Sequence, residues 1–495
     1  MPPPHRLAGH LDMEQLSGLD TLFTLNETRN TPMHIGALML YEPCNGTRQP
    51  LRYEQVCQVF EDNLRKSPIF RRKLLPVPYM MDRPYWSDDR RFDLERHIEA
   101  RDASGLRSPQ DLWRLVGELH GRGLDMKRPL WHATFIENLG DIEGYPEGTT
   151  GLYIKVHHAA IDGMSGAAIL AAIHNLTDDS GPDAGQQEAW RAKRVAPSWW
   201  LAYKANSTRW IRNWRSAARA REVTRSVKRL RQHIGGANRD RPHSQWTSSP
   251  FNARVGAGRN IAVLSLPFIE LRAVKRSLQR TTVNHVALAI VGGALRRYLL
   301  EQDALPPVSL STGVPIDVRD PKAKGGGNVL SATITALRTD LENPIERLAA
   351  VRDAAIEARE NAEVLGESTL LEMSSALSPR VSQTLLRILS AVGSLPFDKP
   401  MPINTVVSNV PGSPLDLYLG GARMRDMHAF GLLLDGMGLF HTATSYTDRF
   451  SITALGCPAS LPDSGLYQDC LEQSWQELRE AARTQSSTHR LVDPG

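Results

Sequence analysis

The apolar positions in the first part of the chain follow two periods. Three stretches alternate apolar and polar residues, which is typical of strands: "MHIGALMLYE", "PLWHATFIEN" and "GLYIKVHH". Two others place apolar residues at helical spacing, which predicts helices: "LRYEQVCQVFEDNLRK" and "PQDLWRLVGELHGRGL". We therefore expect a mixed α/β domain in residues 1–190.

The same two periods return at about residue 258. Strand candidates are "RNIAVLSLPF", "VSLSTGVPIDV", "NVLSATITAL", "INTVVSNV", "MRDMHAFGLLL" and "FHTATSYTDRFSITALG". Helix candidates are "FIELRAVKRSLQR", "TVNHVALAIVGGALRRYLLEQ", "PIERLAAVRDAAIEARENAE" and "DSGLYQDCLEQSWQELREAAR". Neither part shows the strict alternation of a doubly wound parallel sheet. The pattern predicts a second mixed α/β domain in residues 258–495.

Residues 191–257 interrupt this pattern and are predicted to form a basic, Trp-rich helix and a linker. Residues 191–241 hold fifteen Lys and Arg against two acids, so this segment carries +13 and the rest of the chain −8. Half of the ten tryptophans lie in or beside it: Trp190, Trp199, Trp200, Trp210 and Trp214. Either the tryptophans pack on a domain, or the helix lies at a lipid interface, with Trp among headgroups and Lys and Arg on anionic lipid. We favour the interfacial helix, and we expect no nucleic-acid binding because no other element fits such a module.

The composition narrows the classes of protein. With 41% hydrophobic and 23% charged residues it is typical of a soluble globular protein. The longest apolar runs are shorter than the ~20 residues that span a bilayer, and the N-terminus lacks an apolar signal core, which predicts no secretion. The four cysteines are scattered without a C-x-x-C pair, so reduced thiols and no metal site are expected. The "GGGN" at 325–328 lacks the context of a dinucleotide-binding loop.

The candidate chemistry lies in "HHAAIDG" at 157–163, where a strand pattern gives way to a helix pattern. His158 could serve as a general base, since the unperturbed pKa of histidine is about 6.5. Asp162 could orient the loop, and Gly163 permits backbone angles that side chains disfavour. A structural histidine pair and a metal site are the alternatives. Adjacent strand residues point to opposite faces, which makes His157 and His158 poor joint ligands.

The stretch also matches the HHxxxDG motif of the coenzyme A-dependent acyltransferase superfamily. Further stretches, in the same order, resemble the bacterial wax ester synthase/diacylglycerol acyltransferase family over residues 17–485. They include "MHIGALML", "DRPYWSDDRRFDLERHI", "RPLWHATFIE", "VPIDVRD", "SNVPGS" and "GMGLFHTATSYTDRFSITALGCPASLPD". The resemblance implies two chloramphenicol acetyltransferase-like mixed-sheet domains joined by a long helical connector.

The resemblance also implies roles for individual residues. His158 corresponds to the catalytic base and His157 to a supporting residue. Asp162 corresponds to a structural aspartate that pairs with an arginine, for which Arg319 is the candidate.

Four more residues are expected to bind substrate. Asn284 would shape the pocket or the oxyanion environment, although His285 stands where the family usually has Asp. Ser408 and Asn409 lie at a predicted strand end, and Ser408 replaces a commonly acidic residue. Trp131 is interpreted as core or pocket wall.

The function implied is O-acyl transfer from long-chain acyl-coenzyme A to a fatty alcohol or diacylglycerol, without a resident cofactor. No G-x-S-x-G elbow suggests an acyl-enzyme. We expect a cytoplasmic protein peripherally attached, through 191–241, to the inner face of the membrane or to lipid inclusions. The alternatives are a condensation-type acyltransferase with a carrier-protein donor, a non-catalytic lipid-binding protein and a metal hydrolase. The sequence predicts neither the acceptor nor the oligomeric state.

Overall fold

The computed structural model describes residues 13–43, 49–63, 67–161, 166–178, 196–207, 247–317, 330–365 and 403–492. Within these ranges the chain forms two six-stranded sheets and one two-stranded sheet. The small sheet pairs β2 (Arg72–Leu75) with β3 (Tyr85–Asp88) in antiparallel fashion. The architecture is therefore α/β with mixed sheets, as the sequence predicted.

The first large sheet has the strand order β11-β12-β1-β6-β5-β4. Its strands are β1 (His34–Tyr41), β4 (Ile98–Asp102), β5 (Trp131–Glu137), β6 (Thr150–His157), β11 (Tyr418–Leu419) and β12 (Ala422–Phe430). All neighbours are antiparallel except β4 and β5. Strand β6 is central and buried along its whole length, so the motif at its end is held by strands on both sides.

The second large sheet has the order β7-β14-β13-β10-β8-β9. Its strands are β7 (Asn260–Pro267), β8 (Ser311–Asp317), β9 (Leu330–Ala336), β10 (Thr405–Pro411), β13 (Leu439–Tyr446) and β14 (Arg449–Gly456). Strand β10 runs parallel to both of its neighbours, and the other pairs are antiparallel. Strands β13 and β14 form a hairpin whose turn includes Thr447 at φ 46°.

Helices cover the sheets. They are α1 (Gly18–Asn26), α2 (Tyr53–Asn63), α3 (Pro109–Gly121), α4 (Gly166–Ile173), α5 (Ser198–Ser207), α6 (Phe268–Ser277), α7 (Val283–Glu301), α8 (Pro344–Leu365) and α9 (Ser464–Val492). Helix α7 is buried along most of its length, where it contacts helices α8 and α9 and shares an apolar core with the second sheet. This explains its nearly continuous apolar sequence, since a helix buried on all sides needs no polar face.

The two parts of the chain are joined by a strand exchange. Strands β11 and β12 lie within 258–495, the range expected for the C-terminal domain, yet β12 pairs with β1 from Gly36↔Phe430 to Tyr41↔Met424. A shared apolar cluster also crosses the seam, with Leu38 and Tyr153 on one side and Val263 on the other. The first sheet is therefore complete only when the C-terminal part of the chain is present.

Helix α3 lies directly on β7 at this seam. A Cβ on Gly117 would approach the backbone oxygen of Arg259 to within 2.4 Å, so only glycine permits the contact. The Arg259 guanidinium donates to the carbonyls of Gly256, Gly258 and Asn30. This bond to Asn30 ties the second part of the chain to the loop between α1 and β1.

Candidate active site

The histidine pair lies where β6 leaves the first sheet. The His157 N–H donates to the carbonyl of Leu130 at 2.9 Å, which is the last bond toward β5. The His158 N–H donates to the carbonyl of Met33 at 2.8 Å, and the chain then turns into a 3-10 helix, His158–Ile161. The sheet thus fixes one histidine within the strand and presents the next at its end.

His158 is partly exposed as a residue, and its imidazole stacks on Phe23 of α1, with ring centroids 4.1 Å apart. Its Nδ1 atom is buried and has no hydrogen bond to another described residue. Burial and the neighbouring His157 lower the pKa of His158 to about 4, although contact with its own backbone raises it in part. The ring is therefore neutral at pH 7 and can accept a proton.

His157 is fully buried. Its Nδ1 atom accepts the N–H of Ala159 at 3.1 Å, so a neutral ring carries its proton on Nε2. That Nε2 lies 3.5 Å from Oε2 of Glu27, within ion-pair distance but without hydrogen-bond geometry. Within the core, the described contacts of the His157 ring are thus with Ala159 of the turn and with Glu27 after α1.

Glu27 connects both histidines, and the sequence analysis did not single it out. It follows the last residue of α1, and its carboxylate accepts the N–H of Met33 at 2.5 Å. The carbonyl of Met33 in turn holds the N–H of His158. The one signal for this region in the sequence is the capping pattern Ser17-x-x-Asp20, which marks the start of the helix that Glu27 follows.

We expect Glu27→Ala to lower kcat by roughly ten- to a hundredfold, because misplacement of a catalytic group by about 1 Å has effects of that size. Glu27→Gln keeps an oxygen that can accept the Met33 N–H and should retain more activity. Steady-state kinetics should show the loss in kcat with little change in KM. Equal activities for the two variants would contradict the view that Glu27 acts through its hydrogen bond with the Met33 N–H.

A second polar layer lies behind His157. His34 is its register partner on β1, and its Nε2–H donates to the carbonyl of His120 at 2.8 Å. The His120 ring contacts the hydroxyl of Tyr153 at 2.6 Å and the carbonyl of Gly431 at 2.9 Å. Burial lowers the pKa of His120 to about 3, so this ring is uncharged at pH 7.

Asn284 and His285 begin helix α7. Thr282 is the N-cap and forms a reciprocal capping box with His285, whose Nδ1 accepts the Thr282 N–H at 3.3 Å. The histidine therefore serves as a polar acceptor in a position where a carboxylate would serve equally, which gives a physical reason for its replacing Asp. The amide oxygen of Asn284 is buried and has no hydrogen-bond partner among the described residues.

Ser408 and Asn409 lie within β10 and not beyond it, in register with Thr442 and Ala443 of β13. Ser408 is half-buried and Asn409 is exposed. Gly412 follows the strand, where a Cβ would come within 2.3 Å of the Ser445 carbonyl oxygen. The VPGS turn therefore has a steric reason for its glycine.

Trp131 is buried in an aromatic cluster with Phe60, Phe70 and His97. Its indole N–H donates to the carbonyl of Phe70 at 2.9 Å, so its polar atom is satisfied within the core. The other predicted site residues, Asp162, Gly163 and Arg319, lie outside the described residues.

The two mixed sheets and the HHxxxDG turn define the class of coenzyme A-dependent acyltransferase folds. The sequence profile of the wax ester synthase/diacylglycerol acyltransferase catalytic domain matches residues 16–287, and that of the family's C-terminal domain matches residues 326–479. A Mycobacterium tuberculosis (strain H37Rv) protein named provisionally as a diacylglycerol O-acyltransferase is 32% identical over 493 residues, covering 94% of this chain and 99% of that protein. The chain therefore belongs to the wax ester synthase/diacylglycerol acyltransferase family.

Solved structures agree on the fold. The wax ester synthase/diacylglycerol acyltransferase from Marinobacter aquaeolei VT8 superposes with a TM-score of 0.67 at 24% identity, over 95% of this chain and 99% of that one. A trichothecene 15-O-acetyltransferase from Fusarium sporotrichioides gives a TM-score of 0.59 at 12% identity, over 95% of each chain. The two-domain α/β prediction is confirmed.

Proposed function

We propose that this acyl-coenzyme A-dependent acyltransferase transfers a long-chain acyl group to a fatty alcohol or diacylglycerol, forming a wax ester or triacylglycerol. The observation that carries the proposal is the position of His158, the second histidine of the family's HHxxxDG motif, which stands at the end of β6 as a partly exposed residue stacked on Phe23. Two contacts support the assignment of His158 as the base: its ring stacks on Phe23, and its N–H is held by the carbonyl of Met33, whose own N–H is bound by Glu27.

In the proposed mechanism, His158 carries one proton from the acceptor to the leaving group. His158 takes the proton of the acceptor hydroxyl as the oxygen attacks the thioester carbonyl. The tetrahedral oxyanion is stabilised by N–H donors, for which the amide of Asn284 is our candidate. The intermediate then expels the coenzyme A thiolate, and the imidazolium returns the proton to it. The ring ends neutral, so no acyl-enzyme is required.

General-base catalysis contributes about 10²–10⁴-fold, so most of the remaining acceleration must come from holding the two substrates together. We therefore propose that Ser408 and Asn409 act on substrate position, whereas the buried Trp131 belongs to the core. Asp162 and Arg319 would form the structural pair of the motif.

The deciding experiment is an assay of purified protein with one radiolabelled long-chain acyl-coenzyme A and a panel of alcohols and diacylglycerol. Labelled ester that requires both substrates supports the proposal and identifies the acceptor. Ester formed only from a carrier-protein thioester would support the condensation-type alternative. Tight lipid binding without transfer would support a non-catalytic lipid-binding protein.

We further propose that the protein works in the cytoplasm, at the inner face of the membrane or on lipid inclusions, with contact through residues 191–241. Within the described parts of the chain, no helix combines the length and the hydropathy needed to cross a bilayer. The high positive charge of 191–241 supports attraction to anionic headgroups.

A further inference from the structure

Three large aromatic side chains are exposed in one region of the surface. Tyr79 is 78% exposed, Trp199 45% and Tyr203 55%. Tyr79 belongs to the short 3-10 turn Pro78–Met80, and the other two lie on helix α5, which packs on that turn. We call these three residues the aromatic patch.

The orientation of α5 is fixed by its opposite face. Trp200, Leu201 and Ala205 are buried in a small cluster with Val77 and Tyr85. Trp199 and Tyr203 are four residues apart and therefore share the outward face of the helix. The adjacent tryptophans thus have different roles: Trp200 docks the helix on the domain, and Trp199 is left at the surface.

The cluster is reinforced by a cation. The amine of Lys204 lies 5.1 Å from the ring centroid of Tyr85 and 5.3 Å from that of Trp200. Such cation–π contacts add to the burial of the inner face. The outward presentation of Trp199 and Tyr203 therefore follows from packing of the folded domain.

The backbone at Tyr79 is unusual. Tyr79 and Met80 both have positive φ values, 55° and 50°. Non-glycine residues seldom adopt this left-handed region, and each one costs of order 1–3 kcal/mol unless the surroundings compensate. Such outliers are concentrated at functional sites. Here two consecutive outliers coincide with a large aromatic side chain that is 78% exposed.

We infer that the aromatic patch is a lipid-docking surface that inserts into the headgroup region of an anionic phospholipid membrane. Tyr and Trp combine an apolar ring with a polar atom and are enriched at such interfaces. Helix α5 also lies within the 191–241 segment, whose charge of +13 complements anionic headgroups. The inference assigns the proposed membrane contact of 191–241 to Trp199 and Tyr203, adds Tyr79 from the turn on which α5 packs, and does not depend on catalysis.

The test is vesicle co-sedimentation of the full-length protein with phosphatidylcholine vesicles containing 30% phosphatidylglycerol. The triple variant Tyr79→Ala/Trp199→Ala/Tyr203→Ala should bind at least tenfold more weakly, because three rings no longer leave water on binding. The matched control is Ile269→Ala/Leu300→Ala/Leu415→Ala, which removes three comparably exposed apolar side chains elsewhere. The control should bind within twofold of wild type.

Insertion itself is measured by tryptophan quenching with brominated phosphatidylcholine. On binding, the wild-type protein should lose a fraction of its fluorescence that the Trp199→Phe variant does not lose. The vesicle affinities of the two proteins should agree within a fewfold. Wild-type vesicle binding by the triple variant would overturn the inference. So would a wild-type protein that self-associates through the patch, with the triple variant monomeric and still vesicle-bound.

Failure of this inference is separable from failure of the proposed function. Acyl transfer to a detergent-dispersed acceptor needs no vesicle, so the folded triple variant should keep near-wild-type activity in micelles. A triple variant that loses vesicle binding but keeps its activity in micelles supports both the docking surface and the proposed function. A wild-type protein without any transferase activity would refute the function and leave the docking result standing.

Discussion

Replacement of His158 by Ala should lower kcat by about 10²–10⁴-fold while the protein remains folded. The loss corresponds to removal of a general base. The fold should survive because the residue is partly exposed and its ring stacks on Phe23, a type of contact that contributes only about 0.5–1.5 kcal/mol. The measurement is initial rates with labelled acyl-coenzyme A, alongside thermal unfolding and acyl-coenzyme A binding.

His157→Ala is the matched comparison. This ring is fully buried and faces Glu27, so its removal should reduce stability more and catalysis less than removal of His158. A residual activity in His158→Ala close to that of wild type would refute the mechanism. The reverse ranking of the two variants would assign the base to His157.

Periodicity in the sequence was sufficient for most long elements. The stretch "GLYIKVHH" corresponds to β6, and "PQDLWRLVGELHGRGL" contains α3. The stretch "FHTATSYTDRFSITALG", taken as strand, is a hairpin of β13 and β14, because Thr447 adopts the left-handed conformation without a Gly or Asn to signal the turn.

The pairing of strands that are distant in the chain could not be predicted from the sequence. Nothing local to β12 distinguishes it from strands of the second sheet, and its pairing with β1 joins positions almost 400 residues apart. The same limit applies to the candidate site. The motif marks His157 and His158, but their contacts with Phe23, Glu27 and Met33 depend on how α1 packs on the turn after β6.

Acid should unfold the protein before it titrates the catalytic base. Burial lowers the pKa of five histidines to between about 3 and 4: His120, His132, His158, His174 and His441. In the unfolded chain these groups titrate near 6.5. As pH falls below 6.5 the unfolded state binds protons that the folded state does not, so the free energy of unfolding decreases.

The hydrogen bonds of three of these histidines show why the folded state resists protonation. Each ring contacts the hydroxyl of a buried tyrosine through one nitrogen and a carbonyl or hydroxyl oxygen through the other. The pairs are His120–Tyr153, His174–Tyr41 and His441–Tyr467. A neutral imidazole donates one hydrogen bond and accepts one, which fits these partners. An imidazolium carries a proton on both nitrogens, so neither can accept the hydrogen bond of the tyrosine hydroxyl.

The five histidines contribute additively to the fall in the free energy of unfolding, each by up to about 1.4 kcal/mol per pH unit in this window. The total free energy of unfolding of a protein is only roughly 5–15 kcal/mol. We therefore expect the acid-unfolding midpoint, followed by circular dichroism, to lie between pH 6.5 and 4. Activity should fall with the folded fraction. His441→Gln, which removes one titrating ring, should give a shallower dependence of Tm on pH in this range. A protein that stays folded at pH 4 while kcat declines with an apparent pKa near 4 would show instead that titration of His158 sets the acid limit.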